Sequence, residues 1–134
     1  METPTIIAPR GGETWLVVDD FYPLRLLLRH WLRRAGLAAA CAADGSEAWK
    51  LLRQKPWAGL ITDCVMPGLD GFALIRRVRG EPALARLPIL MVSAETGAPF
   101  RRRAFRAGAD ALLGKPCNAG HLLAAVQEIR RPGV

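Results

Sequence analysis

The chain has 134 residues, 51% hydrophobic and 23% charged, a balance that supports one folded core and argues against a disordered chain. No apolar run approaches the length of a membrane span, and residues 1–13 lack the apolar middle of an export signal, so the sequence predicts a cytoplasmic protein with no membrane contact. The net charge of +7 raises nucleic acid as a partner, but arginine, alanine, glycine and proline abound together as GC-rich coding produces, and no helix-turn-helix or aromatic–basic motif supports it, so nucleic acid is not expected.

Residues 1–13, with two prolines and a Gly-Gly pair, predict a flexible leader. Thr14-Trp15-Leu16-Val17-Val18 is an unbroken apolar run that reads as a buried strand and ends in Asp19-Asp20. Pro23 suits the first turn of a helix in which Leu24, Leu27, Leu28, Trp31, Leu32 and Ala35 share one face, Arg25, Arg29, Arg33 and Arg34 the other, and Gly36 the stop. Leu37–Ala43 predicts a weaker strand, followed by a turn at Asp44-Gly45-Ser46. Ser46 is the expected cap of a helix that buries Ala48, Leu51 and Leu52 and ends at Lys55-Pro56.

Leu60-Ile61-Thr62-Asp63 is a third strand ending in a carboxylate, with Met66-Pro67-Gly68 turning the chain into a helix that starts at Asp70-Gly71. Phe72, Leu74, Ile75 and Val78 form its inner face, and Gly80-Glu81-Pro82 closes it. Leu87–Ala94 is a fourth strand that carries Ser93 at its end. A short helix over about residues 98–107 then bears Arg101, Arg102, Arg103 and Arg106. Ala111–Lys115 is the fifth strand, Pro116 enforces a turn, and Asn118 caps a last helix lined by Leu122, Ala125, Val126 and Ile129, with residues 132–134 as a tail. Alternating strands and helices predict a single (βα)5 domain over residues 14–131, an α/β doubly wound parallel sheet covered on both faces.

Four of the five strands deliver Asp19 with Asp20, Asp63, Ser93 and Lys115 to one edge of that sheet, where open parallel sheets bind ligands. Three carboxylates brought together repel unless a cation neutralises them, and oxygen ligands of this kind favour Mg²⁺. A lysine and a hydroxyl beside such an ion suit a phosphoryl group, whose transfer depends on positioning and charge neutralisation. Cys41, Cys64 and Cys117 are odd in number and scattered, as free thiols of a reducing compartment are. They give no disulfide frame and no zinc spacing.

From Trp15 to Ile129 the chain resembles the response regulator receiver domains of two-component signalling, especially the single-domain chemotaxis type. The likeness rests on Leu16-Val17-Val18-Asp19-Asp20-Phe21, on Asp63 with Met66-Pro67-Gly68-Leu69-Asp70-Gly71, on Leu87–Glu95, and on Gly108-Ala109-Asp110 leading to Lys115-Pro116. The resemblance implies a flavodoxin-like sheet of strand order 2-1-3-4-5. It implies that Asp63 accepts a phosphoryl group from a phosphohistidine of a sensor histidine kinase or a phosphotransfer protein. Asp20, Asp63 and the Val65 carbonyl would hold Mg²⁺, with Asp19 acting directly or through water. Lys115, aimed by a cis Lys115–Pro116 peptide, would pair with the phosphoryl oxygens, and the Ser93 hydroxyl would move onto one of them. A receiver of this kind is no enzyme in the usual sense, since its only reaction is slow loss of its own phosphoryl group.

The chain also departs from that pattern. Leu112 stands where the family usually has an aromatic switch residue, three positions before the lysine. Val65 and Glu95 flank the phosphoryl site, and an apolar Val65 cannot orient an attacking water, which predicts a persistent phosphoryl group. Cys64 is expected to be an inert buried thiol. The helix carrying Arg101, Arg102, Arg103 and Arg106 is the expected output face, directed at an acidic downstream protein or at a second copy in a phosphorylation-dependent homodimer. Alternative readings are a phosphorylation-independent pseudo-receiver, a receiver excised from a larger regulator or hybrid kinase, and a Mg²⁺-dependent phosphatase. The phosphatase lacks the second carboxylate such enzymes place two residues after the nucleophile, since that residue is Val65.

Overall fold

The computed structural model describes residues 13–131; the expected tail at 132–134, and all of the expected leader except Glu13, lie outside them. Five strands alternate with five helices: β1 (Thr14–Val18), α1 (Tyr22–Arg34), β2 (Ala38–Ala42), α2 (Gly45–Leu52), β3 (Gly59–Asp63), α3 (Gly71–Gly80), β4 (Ile89–Ser93), α4 (Ala98–Ala107), β5 (Ala111–Gly114) and α5 (Ala119–Ile129). The strands form one parallel sheet in the order β2-β1-β3-β4-β5, a flavodoxin-like doubly wound fold. The chain leaves β1 to one side for β2 and later returns to the other side for β3, so the crevice for a ligand lies at the carboxyl ends of β1 and β3.

Side chains alternate across the sheet and divide the interior in two. Leu16, Val18, Leu60 and Met91 face α2, α3 and α4, packing on Leu52, Phe72, Ile75, Val78 and Ala104. Trp15, Val17, Ile61, Leu90 and Val92 face α1 and α5, packing on Leu28, Leu32, Leu122, Val126 and Ile129. β3 and β4 are buried along their whole length, as strands covered on both faces must be, whereas the edge strand β5 is half-buried throughout.

Local differences from the sequence expectation have plain causes. Asp44, not Ser46, caps α2: its side chain accepts from the Glu47 N–H, which leaves Ser46 exposed inside the helix. Both are cap-forming residue types two positions apart, and the extended backbone of Asp44 decides between them. On α1 the apolar stripe is wider than the space beneath it, so Leu28 and Leu32 are buried while Leu27 stays exposed. Glu13 packs inward rather than joining a leader: Arg130, just past α5, donates to it through Nε at 2.7 Å and also through Nη2, tying the start of β1 to the end of the last helix.

Candidate phosphoacceptor site

The site begins with the way β3 ends. Thr62 donates its hydroxyl to the Asp63 carbonyl at 2.9 Å, and the Cys64 N–H donates to Asp63 Oδ1 at 2.8 Å, so backbone and side chain of Asp63 are held in the same turn. The Gly71 N–H closes the loop by donating to the Cys64 carbonyl at 2.8 Å, and α3 starts so close that a Cβ at Gly71 would strike the Asp63 carbonyl. Asp70 caps that helix by accepting from the Ala73 N–H. Gly68 turns the chain with φ of 73°, in the left-handed region that glycine enters freely.

From the neighbouring strand end, Asp19 is buried and accepts from the Phe21 N–H at 2.8 Å through Oδ1. Lys115 follows β5 and precedes Pro116 across a cis peptide bond. Its Nζ bridges the two strands, 3.2 Å from Asp19 Oδ2 and 3.1 Å from Asp63 Oδ1. Asp20 stands beside them on the exposed side, and one oxygen from each of Asp19, Asp20 and Asp63 falls within 4.8 Å of the others. Three carboxylate oxygens at this spacing, two of them buried, form a donor set suited to a hard divalent cation such as Mg²⁺.

The electrostatics follow from crowding. Burial pushes the Asp63 carboxyl above its ordinary value and the Asp19 charge adds to that, while Lys115 and the Cys64 N–H pull it back. Burial alone would lower Lys115, but the Asp19 and Asp63 carboxylates outweigh it and the ammonium is held above its usual range. Cys64 is pushed up to about 11 by burial, then by Asp70 and Asp63, so its thiol stays protonated and unreactive at neutral pH.

The remaining predicted residues surround this cluster, and Ser93 adjoins it, its carbonyl accepting from the Lys115 N–H at 2.8 Å. Ser93 is buried at the end of β4, its hydroxyl accepting from the Glu95 N–H at 3.1 Å, turned toward its own loop. Glu95 in turn accepts from the Gly97 N–H at 2.9 Å. Val65, two residues after Asp63, is 77% exposed. Leu112 is half-buried against the α2–α3–α4 side of the core. The four arginines of α4 separate: Arg101, Arg102 and Arg106 line a shallow groove with Ala98 and Phe105, whereas Arg103 turns inward, its guanidinium 4.1 Å from the centroid of the Phe72 ring.

Two residues with no assigned part in the sequence reading make specific contacts. Arg25 Nη1 donates to the Asp19 carbonyl at 2.8 Å. Arg79 donates to the carbonyls of Ala85, Leu87 and Gly108 and pairs with Asp110, which also accepts from the Ile89 N–H, so the far end of the sheet is fastened by one guanidinium. The available signal for Arg25 was an arginine beside a strand-end carboxylate pair, in the first turn of a helix whose Phe21 start offers no side-chain cap.

The profile of the response regulator receiver domain matches residues 15–127. The chain belongs to that family. Its receiver is 36% identical over 115 residues to the chemotaxis protein CheY of Pseudomonas aeruginosa, covering 85% of this chain and 93% of that one. It is 34% identical over 121 residues to the transcriptional regulatory protein GltR of the same species, covering 90% of this chain but only 50% of that longer protein. Among solved structures, the receiver domain of a sensor histidine kinase from Pseudomonas aeruginosa PAO1, with a magnesium ion coordinated in its active site cleft, superposes with a TM-score of 0.81 at 26% identity, covering 89% of this chain and 98% of that one. The receiver fold and the two-component class are therefore established. No helix among the described residues is long and apolar enough to cross a membrane.

Proposed function

We propose that this receiver is a phosphoacceptor switch in which Asp63 takes a phosphoryl group from the phosphohistidine of a sensor histidine kinase or phosphotransfer protein. The observation that carries the reading is the Lys115 ammonium bridging Asp19 and Asp63 inside a cluster of three converging carboxylates. Asp63 Oδ1 already accepts from Cys64 and Lys115, and among the described residues Oδ2 has no protein donor, which makes Oδ2 the nucleophile. It forms the new O–P bond as the P–N bond breaks and the imidazole leaves. Asp20, Asp63 and the Val65 carbonyl would hold Mg²⁺, with Asp19 bound directly or through water. The ion, when bound, supplies charge neutralisation for the phosphoryl oxygens. Lys115 then exchanges its contact with Asp63 Oδ1 for a phosphoryl oxygen, and Ser93 gives up the Glu95 N–H to donate to another.

Release of the Glu95 loop would carry the signal to α4, whose Arg101, Arg102 and Arg106 surround the exposed Phe105 and suit an acidic downstream protein or a second copy of the chain. Leu112, smaller than an aromatic, follows that movement rather than reporting it by a ring flip. Neither flanking side chain directs water at the phosphoryl group, since Val65 is apolar and Glu95 is engaged with Gly97, so the phosphorylated state persists. Incubation with acetyl phosphate and Mg²⁺, read on a phosphate-affinity gel, tests the assignment. A retarded band is expected for the wild type and not for Asp63→Asn, and a folded wild type that gives no such band would favour a pseudo-receiver.

A further inference from the structure

Arg25 is not one of the carboxylate partners, yet it touches the backbone that delivers two of them. Its Nη1 donates to the Asp19 carbonyl at 2.8 Å, and its guanidinium carbon lies 5.2 Å from the centroid of the Tyr22 ring, which rests against it. That carbonyl is one end of the rigid peptide plane joining Asp19 to Asp20, so holding it fixes the direction in which Asp20 leaves the strand. The other restraints end on the Asp19 N–H and side chain: its N–H donates to the Ala42 carbonyl at 3.4 Å, Oδ1 accepts from the Phe21 N–H across Asp20, and Oδ2 accepts from Lys115, so none of them holds the Asp19 carbonyl. Asp20 is exposed, and among the described residues its carboxylate accepts no hydrogen bond. The start of α1 contributes only the Phe21 N–H bond to Asp19 Oδ1, because Phe21 has no side-chain cap.

We infer that Arg25 is a positioning residue for the cation site: by gripping the Asp19 carbonyl it orients the Asp19–Asp20 peptide and keeps the Asp20 carboxylate beside that of Asp63. The inference rests on the Mg²⁺ reading of the acidic cluster. Charge and position act here with opposite signs. A guanidinium near the cluster repels a divalent cation, so its removal would tighten Mg²⁺ if charge were all that mattered. Loss of the grip on the peptide plane weakens Mg²⁺ instead.

Calorimetric titration of Mg²⁺ into the unphosphorylated full chain separates the two. Arg25→Met keeps the aliphatic stem, and Arg29→Met removes the same charge one turn further along α1. Arg25→Met is expected to raise the Kd for Mg²⁺ about tenfold. Arg29→Met should leave it equal or lower, and Arg25→Lys, which retains charge and one donor, should fall between wild type and Arg25→Met. A Kd for Arg25→Met at or below the wild-type value, or an equal loss in Arg29→Met, overturns the inference. If Arg25→Met does not fold, Arg25→Lys decides alone: with charge unchanged, weaker binding supports positioning and an unchanged Kd refutes it. A wild type that takes no Mg²⁺ overturns the cation reading and this inference together, whereas wild-type binding with an unaltered Arg25→Met overturns the inference alone.

Discussion

Asp63 stands between two regions built to different standards. On one side, β1, the loop after β3 and Lys115 form a corner in which Asp19 and Asp63 are buried and share the Lys115 ammonium, and the start of α3 leaves no space for a Cβ at Gly71. On the other side, the Ser93 hydroxyl is held by a single N–H from its own loop, residues 94–99 are all exposed, and α4 starts at Gly97 without a side-chain cap and buries only Ala104 and Ala107. β5, which joins the two regions, is half-buried along its length. Local stability follows buried contact, so the first region can hold a reacting group still while the second can rearrange at small cost. The proposed switch, which would both position a phosphoryl group and transmit its arrival, needs that inequality.

Removing Lys115 is expected to break the contrast most strongly. Lys115→Met leaves the buried carboxylates of Asp19 and Asp63 facing one another without a cation, a loss of about 2–4 kcal/mol in Mg²⁺-free protein, measurable by urea unfolding. The pH dependence has a definite sign. Because the Lys115 pKa is raised in the fold, its contribution is fully present below its ordinary 10.5 and is lost as pH rises through the higher folded value, so wild type and Lys115→Met should converge in strong alkali. Asp63 is also raised, but as an acid: its ionisation opposes folding as pH climbs above its ordinary 3.8. Asp63→Asn should therefore raise the Tm of the Mg²⁺-free protein at neutral pH, and adding Mg²⁺ should stabilise wild type while leaving the variant little changed. A lower Tm for Asp63→Asn without Mg²⁺ would show that the Lys115 contact outweighs burial and the Asp19 charge.

The acidic corner was legible in the sequence because its residues are defined by where apolar runs stop. Trp15–Val18 and Leu60–Thr62 are unbroken, and the residue that follows each must sit at the carboxyl edge of a parallel sheet whatever the loop does next. The paired register of β1 and β3 then brings Asp19 and Asp63 together without any further instruction. Long cations were less legible. Helical periodicity sends Arg25 and Arg103 toward solvent with their neighbours, yet each stem is long enough to bring its guanidinium back, one to a carbonyl and the other over the Phe72 ring. Asp110 was read as part of a family signature, while its contacts to Arg79 and the Ile89 N–H depend on chain segments about twenty residues or more away, which no local pattern encodes.

Two glycine substitutions compare the regions directly. At Gly71 an added Cβ meets the Asp63 carbonyl and the Cys64 Cα, both backbone atoms that cannot step aside. Gly71→Ala should destabilise the protein by about 1–3 kcal/mol, and it should also slow phosphorylation by acetyl phosphate, because the obstructed atoms carry the acceptor. At Gly97 the same addition meets only Glu95 Oε1, at 3.1 Å, the far end of a flexible side chain on an exposed loop. Gly97→Ala should therefore change stability by no more than about 0.5 kcal/mol and leave the yield of phosphorylated protein unaltered. If Gly97→Ala proved as damaging as Gly71→Ala in thermal melts, the loop after β4 would be packed as tightly as the acceptor corner. The division of labour between a rigid reaction centre and a loosely held response element would then fail.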